Sequence, residues 1–346
     1  LQLEKIFFPS PEPSGNKGRI WPVFLPYQGC PARCIYCAQH LQTATEYRSL
    51  DSCFQKLHSE LEEAYNKQSK PLELGFFGGT FTALPGDWPL RFLDLVQGFR
   101  KKGLITKIRC STRPDSLAAD SLQEFRVHGL DLVELGVQSF SDHVLALSGR
   151  DYTRDQILKA STLVKQTGLQ VGIQLLPGLP GHNFSLWKQD IVQTCMLKPA
   201  LVRIYPCLVL KGTALARLWE KGQYKPWSLK TTIYALCQGV QSLWKQNIPV
   251  IRMGLPPEQA LLSNILAGPW HPALGNLVKS LVLFDVLHYH AALLGPGPKR
   301  LFLPQKNRGE IAGHQGQMIP KLKGLGLAPE NIATWKYPIF MLKLLA

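Results

Sequence analysis

Apolar and polar positions along this chain alternate with two periods. Short runs at 21–27, 72–77, 105–111, 131–138, 170–176, 201–206 and 249–253 read as strands. Longer amphipathic stretches near 50–67, 87–101, 117–127, 154–167, 184–196 and 228–247 read as helices. Six or seven successive β-α units predict a parallel sheet with helical crossovers. Their number suits an α/β fold, a partial (βα)6-type TIM-like barrel. A doubly wound open sheet fits less well, because the first βα loop carries cysteines instead of a glycine-rich phosphate turn. Residues 1–20, rich in Pro, Ser and Gly, read as an irregular lead-in. The barrel is assigned to 21–255 and a small, basic C-terminal extension to 256–346.

Within the strands the two faces differ. Val133, Leu135 and Val137 oppose Glu134, Gly136 and Gln138; Val171, Ile173 and Leu175 oppose Gly172 and Gln174. Val202 and Ile204 oppose Arg203 and Tyr205, Ile108 and Cys110 oppose Arg109 and Ser111, and Ile251 and Met253 oppose Arg252. One face must meet helices, so the polar set points inside, where ordinary barrels carry branched aliphatics. Buried unpaired charge is expensive, so these groups pair with one another, face water or meet a polar ligand. An internal ion-pair network centred on Glu134 is the simpler account; a large polar cofactor explains the whole set, including Gly136 and Gly172 where a ligand approaches backbone.

At 346 residues, with 45% hydrophobic and 18% charged residues, the chain is long enough for a substantial core. No uninterrupted apolar run approaches the roughly 20 residues of a membrane span. No secretion signal is visible, so a cytoplasmic protein without a membrane partner is expected. The net charge of +15 favours nucleic acid, a nucleotide cofactor or an anionic substrate; a solvated basic surface accounts for it equally. Residues 293–346 contribute eight lysines and arginines against two glutamates, a candidate RNA-binding surface or ordinary solvated charge. Cys53, Cys110, Cys195, Cys207 and Cys237 are scattered singly, and most of them read as small buried hydrophobes.

Cys30, Cys34 and Cys37 are different: they stand within eight residues, in Gly-Cys-Pro-Ala-Arg-Cys-Ile-Tyr-Cys. Thiolates hold iron–sulfur clusters, and three of them leave one iron of a [4Fe–4S] cubane open. A structural zinc site needs a fourth ligand, and no second C-x2-C or H-x3-H pair follows. A chain of this size needs no disulfide staple. The run, with Tyr36 before its last cysteine, resembles the signature of the radical S-adenosylmethionine (SAM) superfamily. That resemblance implies a [4Fe–4S] cluster on the three cysteines, SAM chelated at the open iron, and reductive cleavage to a 5′-deoxyadenosyl radical.

Later motifs narrow it. Phe76-Phe77-Gly78-Gly79-Thr80 resembles the superfamily's Gly-Gly-Glu motif, with Thr80 in place of the usual Glu. Ser111-Thr112-Arg113-Pro114-Asp115, Glu134-Leu135-Gly136-Val137-Gln138-Ser139-Phe140, Ser148-Gly149-Arg150-Asp151-Tyr152-Thr153 and Pro177-Gly178-Leu179-Pro180-Gly181 follow in order. With Arg203-Ile204-Tyr205-Pro206 and Val250–Leu255, they look like the core of the catalytic subunit of the Elongator complex, over roughly 20–290. The Glu134–Phe140 stretch also echoes oxygen-independent coproporphyrinogen oxidases. The resemblance implies that Gly78, Gly79 and Thr80 meet the SAM amino group, Gln138 and Ser139 its ribose, and Arg150 its carboxylate or a substrate anion. It places the turn at Gly178 beside the adenine and Tyr36 beside the cluster. Strand facing adds Gln174 to the cofactor site and Arg203, Tyr205 and Arg252 as substrate candidates.

Two departures are expected from this likeness: no acetyltransferase domain and no long tRNA-binding lead-in, as in the shorter bacterial Elongator-like radical SAM proteins. The function expected is radical SAM chemistry on a tRNA wobble uridine, with a flavodoxin or ferredoxin as electron donor. The alternatives are modification of a small anionic metabolite or tetrapyrrole, and a non-catalytic cluster-containing module that binds RNA or a partner.

Overall fold

The computed structural model describes residues 3–13, 18–26, 29–30, 34–38 and 49–345. Strand β1 (Lys5–Pro9) belongs to a small second sheet. The main sheet takes β2 (Ile20–Phe24), β3 (Leu72–Phe77), β4 (Ile105–Thr112), β5 (Leu132–Gln138), β6 (Gln170–Leu175) and β7 (Leu201–Ile204). β8 (Val209–Leu210) and β10 (Ile265–Ala267) form a separate antiparallel ribbon, and β9 (Val250–Met253) closes the main sheet. Its spatial order is β2-β3-β4-β5-β6-β7-β9, parallel throughout.

Helices Leu50–Asn66, Trp88–Lys101, Ala119–Val127, Arg154–Gln166, Phe184–Leu197 and Leu229–Lys245 return the chain between those strands. Several starts are written locally. The side chains of Ser49, Thr153, Asn183 and Ser228 each accept from a backbone N–H of the first turn, and Thr153 and Gln156 complete a capping box. One apolar core, including Leu74, Phe76, Ile108, Val133, Leu135, Ile173 and Val202, fills the space between sheet and helices. The sheet curls into a half barrel: Pro22 of β2 and Arg252 of β9, at opposite edges, border the same cavity.

The expectation of an irregular segment over 1–20 is corrected by β1. It pairs antiparallel with β13 (Ile339–Leu344), Lys5 opposite Lys343 and Phe8 opposite Phe340. β11 (Lys299–Pro304) and β12 (Ile332–Trp335) complete a sheet ordered β1-β13-β11-β12. Glu12 anchors the segment after β1 through an ion pair of 2.5 Å to Lys279, which also lies 3.4 Å from Glu310.

The helix Leu274–Leu294 is long and apolar enough to cross a membrane by length and composition, although Asn276, Lys279 and Asp285 interrupt it. Its packing explains that composition. Leu274, Val278 and Val282 join the main core, and Leu283, Leu287, Ala291 and Leu294 join a second core with Phe8, Leu301, Phe340 and Leu342. A helix buried on more than one face carries no clean amphipathic period.

Candidate active site

The C-terminal ends of parallel strands are where βα folds place chemistry, because the loops there converge while the sheet holds them rigid. β2 runs into the cysteine loop, and Cys30, Cys34 and Cys37 all border one cavity of about 520 Å³. The Cys37 amide donates to the Cys34 carbonyl at 3.1 Å, closing a tight turn, and no disulfide links the three. Across the cavity β3 ends in Gly78-Gly79-Thr80, and the Thr80 hydroxyl lies 3.1 Å from Cys30 Sγ. Gly78 has φ +113, and a Cβ there would stand 2.6 Å from the Leu25 carbonyl oxygen, so only glycine lets the two loops meet.

Two buried guanidiniums flank the cysteine loop. Arg113 donates to both carboxylate oxygens of Asp115, at 2.9 and 2.7 Å, while its Nη1 is buried without a hydrogen-bond partner. Arg150 donates from Nε to the Tyr36 hydroxyl (2.9 Å) and from Nη1 to the Gly136 carbonyl (2.8 Å) and the Tyr152 hydroxyl. Burial pushes the Tyr152 phenol up to about 12 and the Tyr36 phenol well above its ordinary value, so both are neutral hydroxyls at neutral pH. Burial opposes the charge of Arg150, but Tyr152, Tyr36 and Cys34 outweigh it and hold its pKa well above the ordinary arginine value.

Arg150 thus spends Nε and Nη1 on the protein and ties the cysteine loop to the end of β5. Arg150→Lys keeps the charge but cannot reach Tyr36 and Gly136 together. We expect its iron content after anaerobic reconstitution to fall at least twofold with its melting temperature little changed. Iron per chain equal to wild type would show that Tyr36 needs no such anchor.

The cavity floor is an ionic network. Glu134, fully buried, lies 3.0 Å from Arg203 Nε and 3.5 Å from Arg109 Nη1. Gln174 Nε2 donates to Glu134 Oε2 and to the Ser111 hydroxyl, both at 2.9 Å. Arg109 also approaches Glu73 at 3.7 Å. The Arg203 guanidinium lies 4.4 Å from the centre of the Phe77 ring and donates to the Tyr205 hydroxyl at 3.1 Å. The inward polar residues therefore form the expected ion-pair network, and the cavity lies above it. Arg252 stands exposed at the rim, where Ile251 also borders the cavity.

Gln138 ends β5 at φ +65, the one non-glycine among the described residues bordering the cavity that has a left-handed backbone. That conformation is uncommon outside glycine and persists only where surrounding structure imposes it. The segment just after it is held by Asp190, with His182 close behind. Asp190 Oδ1 accepts from the Phe140 amide (2.7 Å) and the Ser139 hydroxyl (3.1 Å), and its Oδ2 lies 3.2 Å from His182 Nε2. His182 Nδ1 accepts from the Gly178 amide at 3.2 Å, which assigns the ring proton to Nε2.

The structure therefore brings Cys30, Cys34, Tyr36, Cys37, Gly78, Gly79, Thr80, Gln138, Arg150, Gln174, Arg203, Tyr205 and Arg252 around one cavity. Ser139 and Gly178 do not border it. The turned backbone at Gln138 breaks the strand's alternation and sends the Ser139 side chain to Asp190. Gly178 lies behind the site, its carbonyl accepting from the Tyr224 hydroxyl at 2.6 Å. Sequence reasoning assigned no role to Arg113, Tyr152, His182 or Asp190. Arg113 and Tyr152 lie inside quoted motifs, whereas nothing in one sequence marks the His182–Asp190 pair.

These residues fit an iron–sulfur cluster and SAM. Thiols are its donor set, and Cys30, Cys34 and Cys37 share the cavity without converging: among the described residues no three His, Cys, Asp or Glu side chains close on a single ion. The buried, unpartnered Nη1 of Arg113, which borders the cavity, would offer a donor to a negatively charged group bound there.

A family model described as the radical SAM superfamily matches residues 24–191, and one described as the radical SAM C-terminal domain matches residues 199–282. The tRNA uridine(34) acetyltransferase of Methanocaldococcus jannaschii is 33% identical over 192 residues, covering 50% of this chain and 36% of that protein. Human Elongator complex protein 3 is 29% identical over 180 residues, covering 45% and 32%. The chain spans about a third of the length of these curated relatives. The archaeal Methanocaldococcus infernus Elp3 with an N-terminal deletion superposes with a TM-score of 0.61 over 78% of this chain and 63% of that one. At 24% identity that likeness concerns the fold alone.

Proposed function

This chain belongs to the radical SAM superfamily, and on that footing we propose that it cleaves SAM reductively at a [4Fe–4S] cluster and acts on a tRNA uridine. The observation that supports this most is the meeting of three thiols, a Gly-Gly-Thr strand end and buried guanidiniums at one cavity. A cluster held by Cys30, Cys34 and Cys37 would supply the electron for reductive cleavage of a carbon–sulfur bond of SAM. The protein's own residues bind and orient. Gly78 and Gly79 open backbone to the SAM amino group, and Gln138 presents its amide from a fixed, left-handed backbone. Arg150 holds Tyr36 and with it the cysteine loop. Phe77, Leu176, Leu208 and Leu255 line the cavity with apolar surface that excludes water from reactive chemistry. Electrons would come from a flavodoxin or ferredoxin.

The substrate assignment rests on relatives named for a tRNA uridine and on the net charge of +15. The reconstituted protein with SAM and dithionite should release 5′-deoxyadenosine, several-fold faster with bulk tRNA. Full iron loading without any 5′-deoxyadenosine would overturn the enzyme reading in favour of a binding module. Release indifferent to tRNA would instead favour a small anionic substrate, for which Arg203 and exposed Arg252 already border the cavity.

A further inference from the structure

The second sheet is covered on one side only. Phe8, Leu301, Leu303, Phe340 and Leu342 are buried against the helix Leu274–Leu294 and the short helices that follow β11. On the opposite side the register sets Lys5, Lys343 and Arg300 in one row across β1, β13 and β11. The next row holds Phe7, Met341 and Phe302. Trp335 lies over that row, its ring stacked 6.4 Å from Phe7 at 9° and 5.5 Å from Phe302, with its Nε1 donating to the Ile339 carbonyl at 2.7 Å. Tyr337 meets Trp335 edge-on at 5.1 Å and carries the Lys336 ammonium 5.5 Å from its ring centre. Phe7 is 51% exposed and Tyr337 50%.

Two features of this face are costly for a surface that meets only water. Like charges directly opposite on neighbouring strands repel, yet Lys5, Lys343 and Arg300 stand in line, and no ion pair among the described residues relieves them. A contiguous group of exposed aromatics marks an interaction site. An aromatic row beside a cationic row matches a nucleic-acid strand, in which bases offer π-faces and the backbone offers phosphates at regular spacing. Protein interfaces, by contrast, lose charged residues at their cores. We propose that this sheet face binds unpaired RNA nucleotides, with bases stacked on Phe7, Trp335 and Tyr337 and phosphates held by Lys5, Lys343 and Arg300. The inference rests on the reading of RNA as substrate and gives that substrate a second, remote contact.

The cations of residues 293–346 do not form one patch. Lys299 is buried and donates to the Gly297 carbonyl at 3.0 Å, and Lys321 sits in the helical layer with its ammonium 5.6 Å from the Phe284 ring centre. Only Arg300, Lys336 and Lys343 from that segment are placed on or beside the exposed face, and Lys5 reaches it from the other end of the chain.

The test uses the reconstituted protein and a fluorescein-labelled oligouridylate, the same strand annealed to its complement, and bulk tRNA, each titrated at several salt concentrations. Wild type should prefer the single strand over the duplex. Phe7→Ala should weaken oligouridylate binding roughly tenfold with the salt slope unchanged, since it removes a stacking surface and no charge. Lys5→Gln/Arg300→Gln/Lys343→Gln should flatten the logarithmic salt slope by about 2, three phosphates at about 0.7 each. These positions are exposed, and an unchanged melting curve would show the fold intact. If wild type binds tRNA and both variants match it in affinity and slope, the sheet face is not the site and the tRNA reading stands. If wild type binds neither RNA, both fall. A wild-type dimer that Phe7→Ala dissociates, with no effect on RNA, would make this face a self-interface and overturn the proposal.

Discussion

The Cys34→Ala protein, reconstituted with iron and sulfide under anaerobic conditions, should stay nearly colourless and release no 5′-deoxyadenosine, as should Cys30→Ala and Cys37→Ala. The loss is expected to be complete, because three thiolates are all that this loop offers and two cannot hold a cubane against exchange. The demanding control is Cys207. It borders the same cavity as the three loop cysteines, so proximity alone would nominate it as a fourth ligand. Its side chain, however, is 2% exposed and packs in an apolar cluster with Val144, Leu179 and Val209. Cys207→Ala should therefore keep the iron, the colour and the product. Cys110, on β4 and fully buried in the main apolar core, should be equally dispensable. Full iron content in Cys34→Ala, or its loss in Cys207→Ala, would require a different ligand set.

The contrast among these cysteines shows what one sequence reveals. Spacing separated the loop cysteines from the scattered ones, because a cluster loop is a local pattern. The half barrel was legible for a similar reason: each βα unit repeats the same alternation of periods, and polar residues on the inward face of β5, β6 and β7 mark an interior that is not a simple aliphatic core. What escaped has no local signature. The pairing of Lys5 with Lys343 joins the two ends of the chain, and Pro9, Pro11 and Pro13 suggested only irregularity there. The helix Leu274–Leu294 is apolar towards two cores at once, so its period is blurred.

That Ser139 and Gly178 lie off the cavity has a conformational cause. Motif order put Ser139 beside Gln138 at the ligand, but a left-handed residue at 138 rotates everything after it. Gly178 was placed by likeness to an adenine-flanking turn. The structure uses its amide to fix His182, which stands 3.2 Å from Asp190, the residue that holds the loop after Gln138. Both residues act on the cavity from behind it, and a strand-facing argument cannot see that layer.

The floor of the cavity should be the most sensitive place in the fold to a single lost charge. Glu134 is the carboxylate shared by Arg109 and Arg203, at 3.5 and 3.0 Å, with no exposure of its own. Replacing it with the isosteric Gln keeps the volume and a partner for Gln174 but leaves two guanidiniums facing each other in a closed space. Breaking a buried pair by removing one partner costs about 3–5 kcal/mol, because the surviving charge is left uncompensated. Arg109 is the worse placed of the two. Burial already depresses its pKa, and its other carboxylate, Glu73, is 3.7 Å away. Arg203 can turn towards Tyr205 and the cavity. In urea titrations at neutral pH, Glu134→Gln should thus lose about 3–5 kcal/mol, whereas Gln174→Ala, which removes neutral hydrogen bonds, should lose about 1–2 kcal/mol. Adding Arg109→Met to Glu134→Gln removes the stranded cation and should recover part of the loss, a coupling that independent residues would not show. A Glu134→Gln protein within about 1 kcal/mol of wild type would mean that water from the cavity reaches both guanidiniums. The ion pairs would then be a feature of the ligand site and not a support of the sheet beneath it.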